Sequence, residues 1–412
     1  LQPSSKLIKE NEALIEIKKN NFSKAFELYN DLFKADSSGR YLFGLVQAIM
    51  GMNSVERQTA LPLLSQQIEN YTMVRYDFKK ELLLAQMVFA KWQKNENLFQ
   101  EKADLEKKLT KHGAILFRGF AIQTPLDFEE VAKSFDSELK DDYLGTSPRD
   151  KKTDFVFSAS ELPAHYPIMQ HCEMSFLPSA PRRLFFYCNV EPEFGGETPI
   201  CDFRKVYKDL DPKIRAEFEQ KGVKHIRNYS SPNDKSKSAF QLKNWSDLFQ
   251  TTDKKSIEQK SKLHDMQIEW KANDGLRVTN KNAATKIHPI TGETVWFNHT
   301  QVFHLAAAAF EYHKIHRRQK RWETFKTSRM LDIMTFYKKL TKNPKEQSMH
   351  VTFGDDSPIP DKYVEHIIDV IWKNMSIYSW KKGDVICIDN FSTSHGRLPY
   401  YGPREVMVCW TS

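Results

Sequence analysis

Nothing in this 412-residue chain approaches the unbroken apolar length that a membrane span needs. The first residues also lack the apolar core of a secretory signal, and the start at Leu1 rather than Met reads as trimmed. Cysteine is scarce: five residues, at 172, 188, 201, 387 and 409, with no CxxC pair and no zinc-ligand spacing. An odd count without a framework fits reduced thiols in a cytoplasmic compartment, and most of the five lie inside apolar runs. Acidic charge falls short of basic, 53 residues against 61, leaving a formal net charge of +8. The excess is scattered lysine, densest between residues 232 and 262, without the stripe that a nucleic-acid surface shows. Neither nucleic acid nor membrane is therefore expected as a partner. What remains is an ordinary globular composition on a chain long enough for one large domain and an appendage.

Residues 1 to about 104 read as an all-α domain. The segment from Asn21 to Phe33 sets apolar groups at helical intervals, and further helices are expected near 40–52, 57–69 and 73–94. Phe22, Ala25, Leu28 and Tyr29 suggest one arm of a tetratricopeptide-type hairpin. No second register follows at the 34-residue period, so simple helical hairpins are the expectation. The pattern changes at His112-Gly113-Ala114-Ile115-Leu116-Phe117-Arg118-Gly119-Phe120, a short apolar strand bounded by glycines, with a helix opening near Thr124-Pro125. Strand-like runs recur at 183–190, 384–388 and 406–410. A lysine-rich stretch over about 228–292 and a helical one over 305–343 lie between them. Residues 105–412 thus read as a β-barrel or jelly-roll core with helical decoration.

The segment Gln170-His171-Cys172-Glu173-Met174-Ser175 carries the chemistry. In extended backbone, residues i and i+2 face one side, so His171 and Glu173 would address one ion together. With His395, they make two imidazoles and one carboxylate, the facial triad that suits non-haem Fe(II) and leaves positions open. An HxE triplet alone carries little, since 13 histidines and 53 acids give roughly two by chance. Its surroundings decide. Gly195-Gly196-Glu197-Thr198-Pro199-Ile200 follows, and a buried strand later ends in the polar loop Asp389-Asn390-Phe391-Ser392-Thr393-Ser394-His395-Gly396-Arg397. Beyond His395 the cations are Arg397 and Arg404. A diacid co-substrate needs a guanidinium fork, and Arg404, opening the next strand, is the choice over Arg397.

These motifs closely resemble the taurine dioxygenase-like (TauD/TfdA) family of Fe(II)/2-oxoglutarate-dependent oxygenases over roughly residues 105–412. Within it the chain looks most like the syringomycin-type hydroxylase and plant clavaminate synthase-like branch. That branch is suggested by Asn244-Trp245, Ile268-Glu269-Trp270, His288-Pro289 and Val295-Trp296-Phe297-Asn298. The resemblance implies an α+β fold: a double-stranded β-helix (jelly-roll) oxygenase core with helical decoration, carrying the lysine-rich insertion, behind the all-α N-terminal domain. It implies Fe(II) held by His171, Glu173 and His395, and 2-oxoglutarate held by Thr198 and Arg404, with O2 as the other co-substrate. Ser158, Met174, Trp296, Asn298 and Arg397 are candidates for substrate contact, and Asn298, Asp389 and Asn390 for support around the ligands. The interval from Glu173 to His395 is long, and the Arg404 offset is shorter than in taurine dioxygenase, which keeps Arg397 as the fallback. Where that enzyme uses a further arginine for the sulfonate, this chain has Val408 or a neighbour, so taurine is not the expected substrate. A carboxylate at 173, where halogenases of the superfamily have glycine or alanine, points to hydroxylation or desaturation.

Three readings follow. The first is an oxygenase acting on a small amino-acid-like molecule, releasing succinate and CO2. The second applies the same chemistry to an aminoacyl group on a carrier protein, docked by the N-terminal helices. The third is a non-catalytic helical interaction protein with an inactive barrel.

Overall fold

In a computed structural model the described residues are 3–35, 39–53, 55–64, 98–119, 122–141, 143–145, 149–234 and 243–411. The chain divides into two compact units, Leu1–Glu106 with Ile115–Phe120, and Lys107–Ala114 with Ala121–Ser412. Helices Pro3–Lys18, Phe22–Ala35, Gly39–Gly51 and one over 55–64 make up the start of the first. The second helix buries Ala25, Phe26, Tyr29, Leu32 and Phe33, a stripe at 3–4 residue spacing that packs on Leu45, Ala48 and Ile49. Gly44 gives the Tyr29 ring its seat, because a Cβ there would lie 2.3 Å from it. The helix expected at 73–94 lies outside the described residues.

In the second unit, Thr124 opens helix Pro125–Phe135 with a reciprocal capping box to Asp127 and proline in the first turn. One sheet runs in the order Val385–Asp389, Arg183–Val190, Glu405–Thr411, Phe157–Ser158, all pairs antiparallel. Its central strands are near-continuous apolar runs because both faces are covered: Leu184, Phe185, Tyr187 and Cys188 are fully buried, as are Val385 and Ile388. A second sheet has the order Met375–Ser376, Ile200–Asp202, Thr393–Arg397, Ile168–His171. The two sheets touch where the Phe186 ring lies 4.9 Å from the His395 ring.

The lysine-rich stretch is more than a decoration. Helices Trp245–Phe249 and Lys254–Leu263 are followed by strands Gln267–Trp270 and Leu276–Asn282, which join Val223–Tyr229 and Met349–Phe353 in a third, four-stranded sheet. The helix expected over 305–343 is two, Ala307–Gln319 and Trp322–Thr341, parted by Lys320 in the left-handed region. Among the described residues no helix is long and apolar enough to cross a membrane.

Gly113 joins helix Leu98–His112 to strand Ala114–Phe117 at φ +78°, and its carbonyl accepts from Asp389 N. A Cβ there would stand 1.9 Å from Thr393 Oγ1, on the strand that carries His395, whereas Gly292 (φ +69°) faces open space. Both alanine substitutions incur the left-handed penalty of about 1–2 kcal/mol, and only Gly113→Ala adds a clash. Urea unfolding is expected to show Gly292→Ala losing about that amount and Gly113→Ala clearly more; equal losses would contradict the packing described.

Candidate functional site

The ladder between Ile168–His171 and Thr393–Arg397 sets His171 opposite His395, with their rings 4.4 Å apart. Gln170 fastens this ladder to its neighbours, donating to Pro199 O at 2.8 Å and accepting from Ser394 Oγ at 2.6 Å. The strand ends at His171, so extended backbone does not carry Glu173 to the same side as the sequence reading assumed. A turn does: Ser175 N bonds Cys172 O, and Met174 takes φ +51°. Asn390 then clamps the Glu173 backbone from both sides, Oδ1 accepting its N–H at 2.6 Å and Nδ2 donating to its carbonyl at 3.0 Å. Glu173 Oε2 ends 3.9 Å from His171 Nε2 and 3.8 Å from His395 Nε2.

One donor atom from each of His171, Glu173 and His395 lies within 4.8 Å of the others. Two nitrogens and a carboxylate oxygen are a donor set for a divalent transition metal. Met169 O lies 2.9 Å from His171 Nδ1 and accepts its proton, which leaves Nε2 as the ring nitrogen on the side of Glu173. Burial, then the neighbouring His171, holds His395 well below the usual histidine range, so its imidazole is neutral. Its Nδ1 is buried without a hydrogen-bond partner. For Glu173, burial raises the carboxyl, but Arg149 and the two imidazoles outweigh it and hold the group ionised far below the ordinary carboxylate range. Cys172 is fully buried, its thiol pushed well up by burial, and is not part of the cluster.

Arg149 and Tyr143 are the residues that sequence reasoning missed. Arg149 Nη2 donates to Glu173 Oε2 at 2.9 Å and to the Tyr143 hydroxyl at 3.2 Å, while Nη1 donates to Ala159 O at 3.0 Å. Tyr143 in turn donates to Glu173 Oε1 at 3.3 Å. Both carboxylate oxygens are thus held. An arginine in a loop more than twenty residues upstream of the acid carries no local signal, so a single sequence does not reveal it.

A cavity beside the triad is lined by His171, His395, Thr198 and Arg404, with Arg149 and Arg397. Arg404 Nε donates to Gly196 O at 2.8 Å and Nη2 to Thr198 Oγ1 at 3.4 Å. Gly196 stands at φ +68°, and a Cβ there would press on Arg404 Cδ at 3.0 Å. Burial and neighbouring Arg397 push the Arg404 guanidinium down to about 10, still charged at neutral pH. It has no acidic partner among the described residues. Arg397 is committed elsewhere, donating to the carbonyls of Leu162, Pro163 and Tyr166 at 2.7–3.0 Å.

The other candidates are placed around the site or apart from it. Ser158, Met174, Trp296 and Asn298 are not in the cavity lining. Ser158 Oγ accepts from Asp150 N, and Trp296 is fully buried edge-on to Phe218 at 4.9 Å. Asn298 donates to Ala284 O and caps Thr300 N. Asp389 supports no ligand imidazole; its Oδ2 pairs with His288 Nε2 at 2.8 Å. His299, 5.4 Å ring to ring from His171, bonds Ser175 Oγ and stands outside the triad.

The family model for "Taurine catabolism dioxygenase TauD, TfdA family" matches residues 79–410. The dapdiamide synthesis protein DdaC of Enterobacter agglomerans is 30% identical over 304 residues, 74% of this chain and 83% of that one. A clavaminate synthase-like protein of Arabidopsis thaliana is 30% identical over 312 residues, 75% of this chain and 84% of the other. A putative alpha-ketoglutarate-dependent taurine dioxygenase structure from Burkholderia xenovorans aligns over 77% of this chain and 84% of its own, at TM-score 0.42 and 13% identity. The family match and the two sequence relatives are enough: the chain belongs to the TauD/TfdA family of Fe(II)/2-oxoglutarate-dependent dioxygenases, enzymes that use O2 as co-substrate.

Proposed function

We propose that this chain oxidises a small amino-acid-like molecule by hydroxylation or desaturation, with His171, Glu173 and His395 holding Fe(II) and with Thr198 and Arg404 holding the distal carboxylate of 2-oxoglutarate. The observation that carries the reading is the convergence of two imidazoles and one ionised carboxylate beside a cavity with an arginine that meets no acid among the described residues. Bound ferrous iron supplies the oxidising chemistry, which turns 2-oxoglutarate and O2 into succinate and CO2 while a substrate C–H bond is oxidised. The chain's own residues do the rest. Arg149 and Tyr143 fix the carboxylate that faces the ion, and the Met169 carbonyl fixes the His171 tautomer. Arg404 offers its guanidinium to a dianionic co-substrate from a buried position, where a charge-assisted bond is strong. Phe186, packed on His395, supplies an apolar wall.

An amino-acid-like substrate is favoured by the relative whose name places it in dapdiamide synthesis. The two packed sheets serve, in this reading, as the double-stranded β-helix core of a catalytic domain over 105–412, and residues 1–104 form a separate helical domain. A carrier-bound aminoacyl substrate is the second reading, and activity on the free molecule that is indifferent to added carrier protein would remove it.

Two experiments test the assignment. His171→Ala is expected to abolish substrate-dependent succinate formation while the melting curve stays in place; full turnover in that variant would refute its role. Arg404→Ala is expected to raise the 2-oxoglutarate requirement by roughly tenfold to a hundredfold, the worth of one or two charge-assisted hydrogen bonds. Arg397→Ala is expected to lower thermal stability and leave that requirement alone. The reverse pattern would transfer the co-substrate role to Arg397.

A further inference from the structure

Helix Trp322–Thr341 is built inside out. The residues it buries are Thr324, Ser328 and Leu331, two of them small and polar. Through Leu331 it packs on Ala309 and Tyr312 of the preceding helix, a small cluster. Its opposite side exposes a set of large apolar side chains: Trp322, Met330, Ile333, Phe336, Tyr337 and Leu340, with Ile333 at 69% and Leu340 at 72%. At 100° per residue these six fall in one stripe about 120° wide, opposite Ser328 and Leu331, and they share it with Lys326 and Arg329. Met330, Ile333, Tyr337 and Leu340 follow the 3-4-3 spacing of a helix–helix seam.

We propose that this stripe is the seam of an isologous homodimer in which the helix packs antiparallel on the same helix of a second copy. Area supports a folded partner of this kind. Taking about 200 Å² for each large side chain, the six present roughly 700 Å² of apolar surface. That exceeds the largest patch of a typical monomer, roughly 300–600 Å², and approaches the ~800 Å² that each partner buries in a standard interface. Charge selects the direction. Glu323 lies in the first turn, whereas Lys338 and Lys339 lie in the last, with Lys342 just beyond. A parallel pair would stack the lysines on one another, and an antiparallel pair sets Glu323 against the lysine end of its neighbour. Centred on Ile333, the antiparallel register places Met330 against Phe336 and Arg329 against the Tyr337 ring. It also lays the Lys326 stem along Leu340. Ile333 meets its own copy on the two-fold axis.

The test uses the full-length chain. At micromolar concentration, sedimentation or light scattering is expected to give twice the chain mass, and Ile333→Glu is expected to halve it. Because Ile333 is exposed in the monomer, its circular dichroism and melting are expected to stay unchanged. All five native cysteines are buried, so single exposed cysteines report cleanly. Under mild oxidation Ile333→Cys is expected to cross-link to a dimer. Leu340→Cys is not, since helical rise separates the two copies of that position by about 20 Å in this register. A monomeric parent protein would overturn the proposal, as would a dimer that survives Ile333→Glu. Equal cross-linking at 333 and 340 would overturn the antiparallel arrangement.

Discussion

The antiparallel register of one pair of strands underlies the site. Because His395 lies opposite His171 in the ladder, two imidazoles from positions 224 residues apart in sequence stand side by side without a loop having to place either. A slip of one residue would turn one of them to the other face of the sheet. The polar side chains that join this ladder to its neighbours, Gln170 to Pro199 O and Ser394 to Gln170, are buried bonds whose loss leaves unsatisfied groups, and they penalise such a slip. Glu173 is added by a different device. It lies past the end of its strand, and the Asn390 carboxamide fixes its backbone while Arg149 and Tyr143 fix its side chain.

This division explains how the site distributes its electrostatics. Burial keeps His395 neutral with a lone pair to offer, and the cost of burying Glu173 as an anion is offset by Arg149 directly. Elsewhere in the cavity lining, Arg404 carries a charge that no described acid answers. Arg397, satisfied by three backbone carbonyls, holds the segment 162–166 against the strand instead.

Much of this was legible in the sequence, for physical reasons that differ by element. Strands Arg183–Val190, Val385–Asp389 and Glu405–Thr411 are covered on both faces and so read as unbroken apolar runs. Val223–Tyr229 and Leu276–Asn282 mix apolar residues with lysine, arginine and asparagine, and two strands of their sheet, Gln267–Trp270 and Leu276–Asn282, lie inside what reads as a solvated insertion. The break at Lys320 has no glycine or proline to announce it. In the site, His171, Glu173 and His395 were legible because metal chemistry restricts residue type and spacing. Trp296, a candidate for substrate contact from sequence, is fully buried against Phe218, and a large aromatic near an active segment reads the same whether it lines a cavity or fills a core. Arg149 was invisible because its importance lies entirely in a contact across 24 residues.

Anaerobic titration with Fe(II), with bound metal counted per chain, decides whether His171, Glu173 and His395 share one ion. One ferrous ion per chain in the parent protein, and loss of that binding in Glu173→Ala with the fold retained, is the result this account expects. Equal binding by the parent and by Glu173→Ala would contradict it.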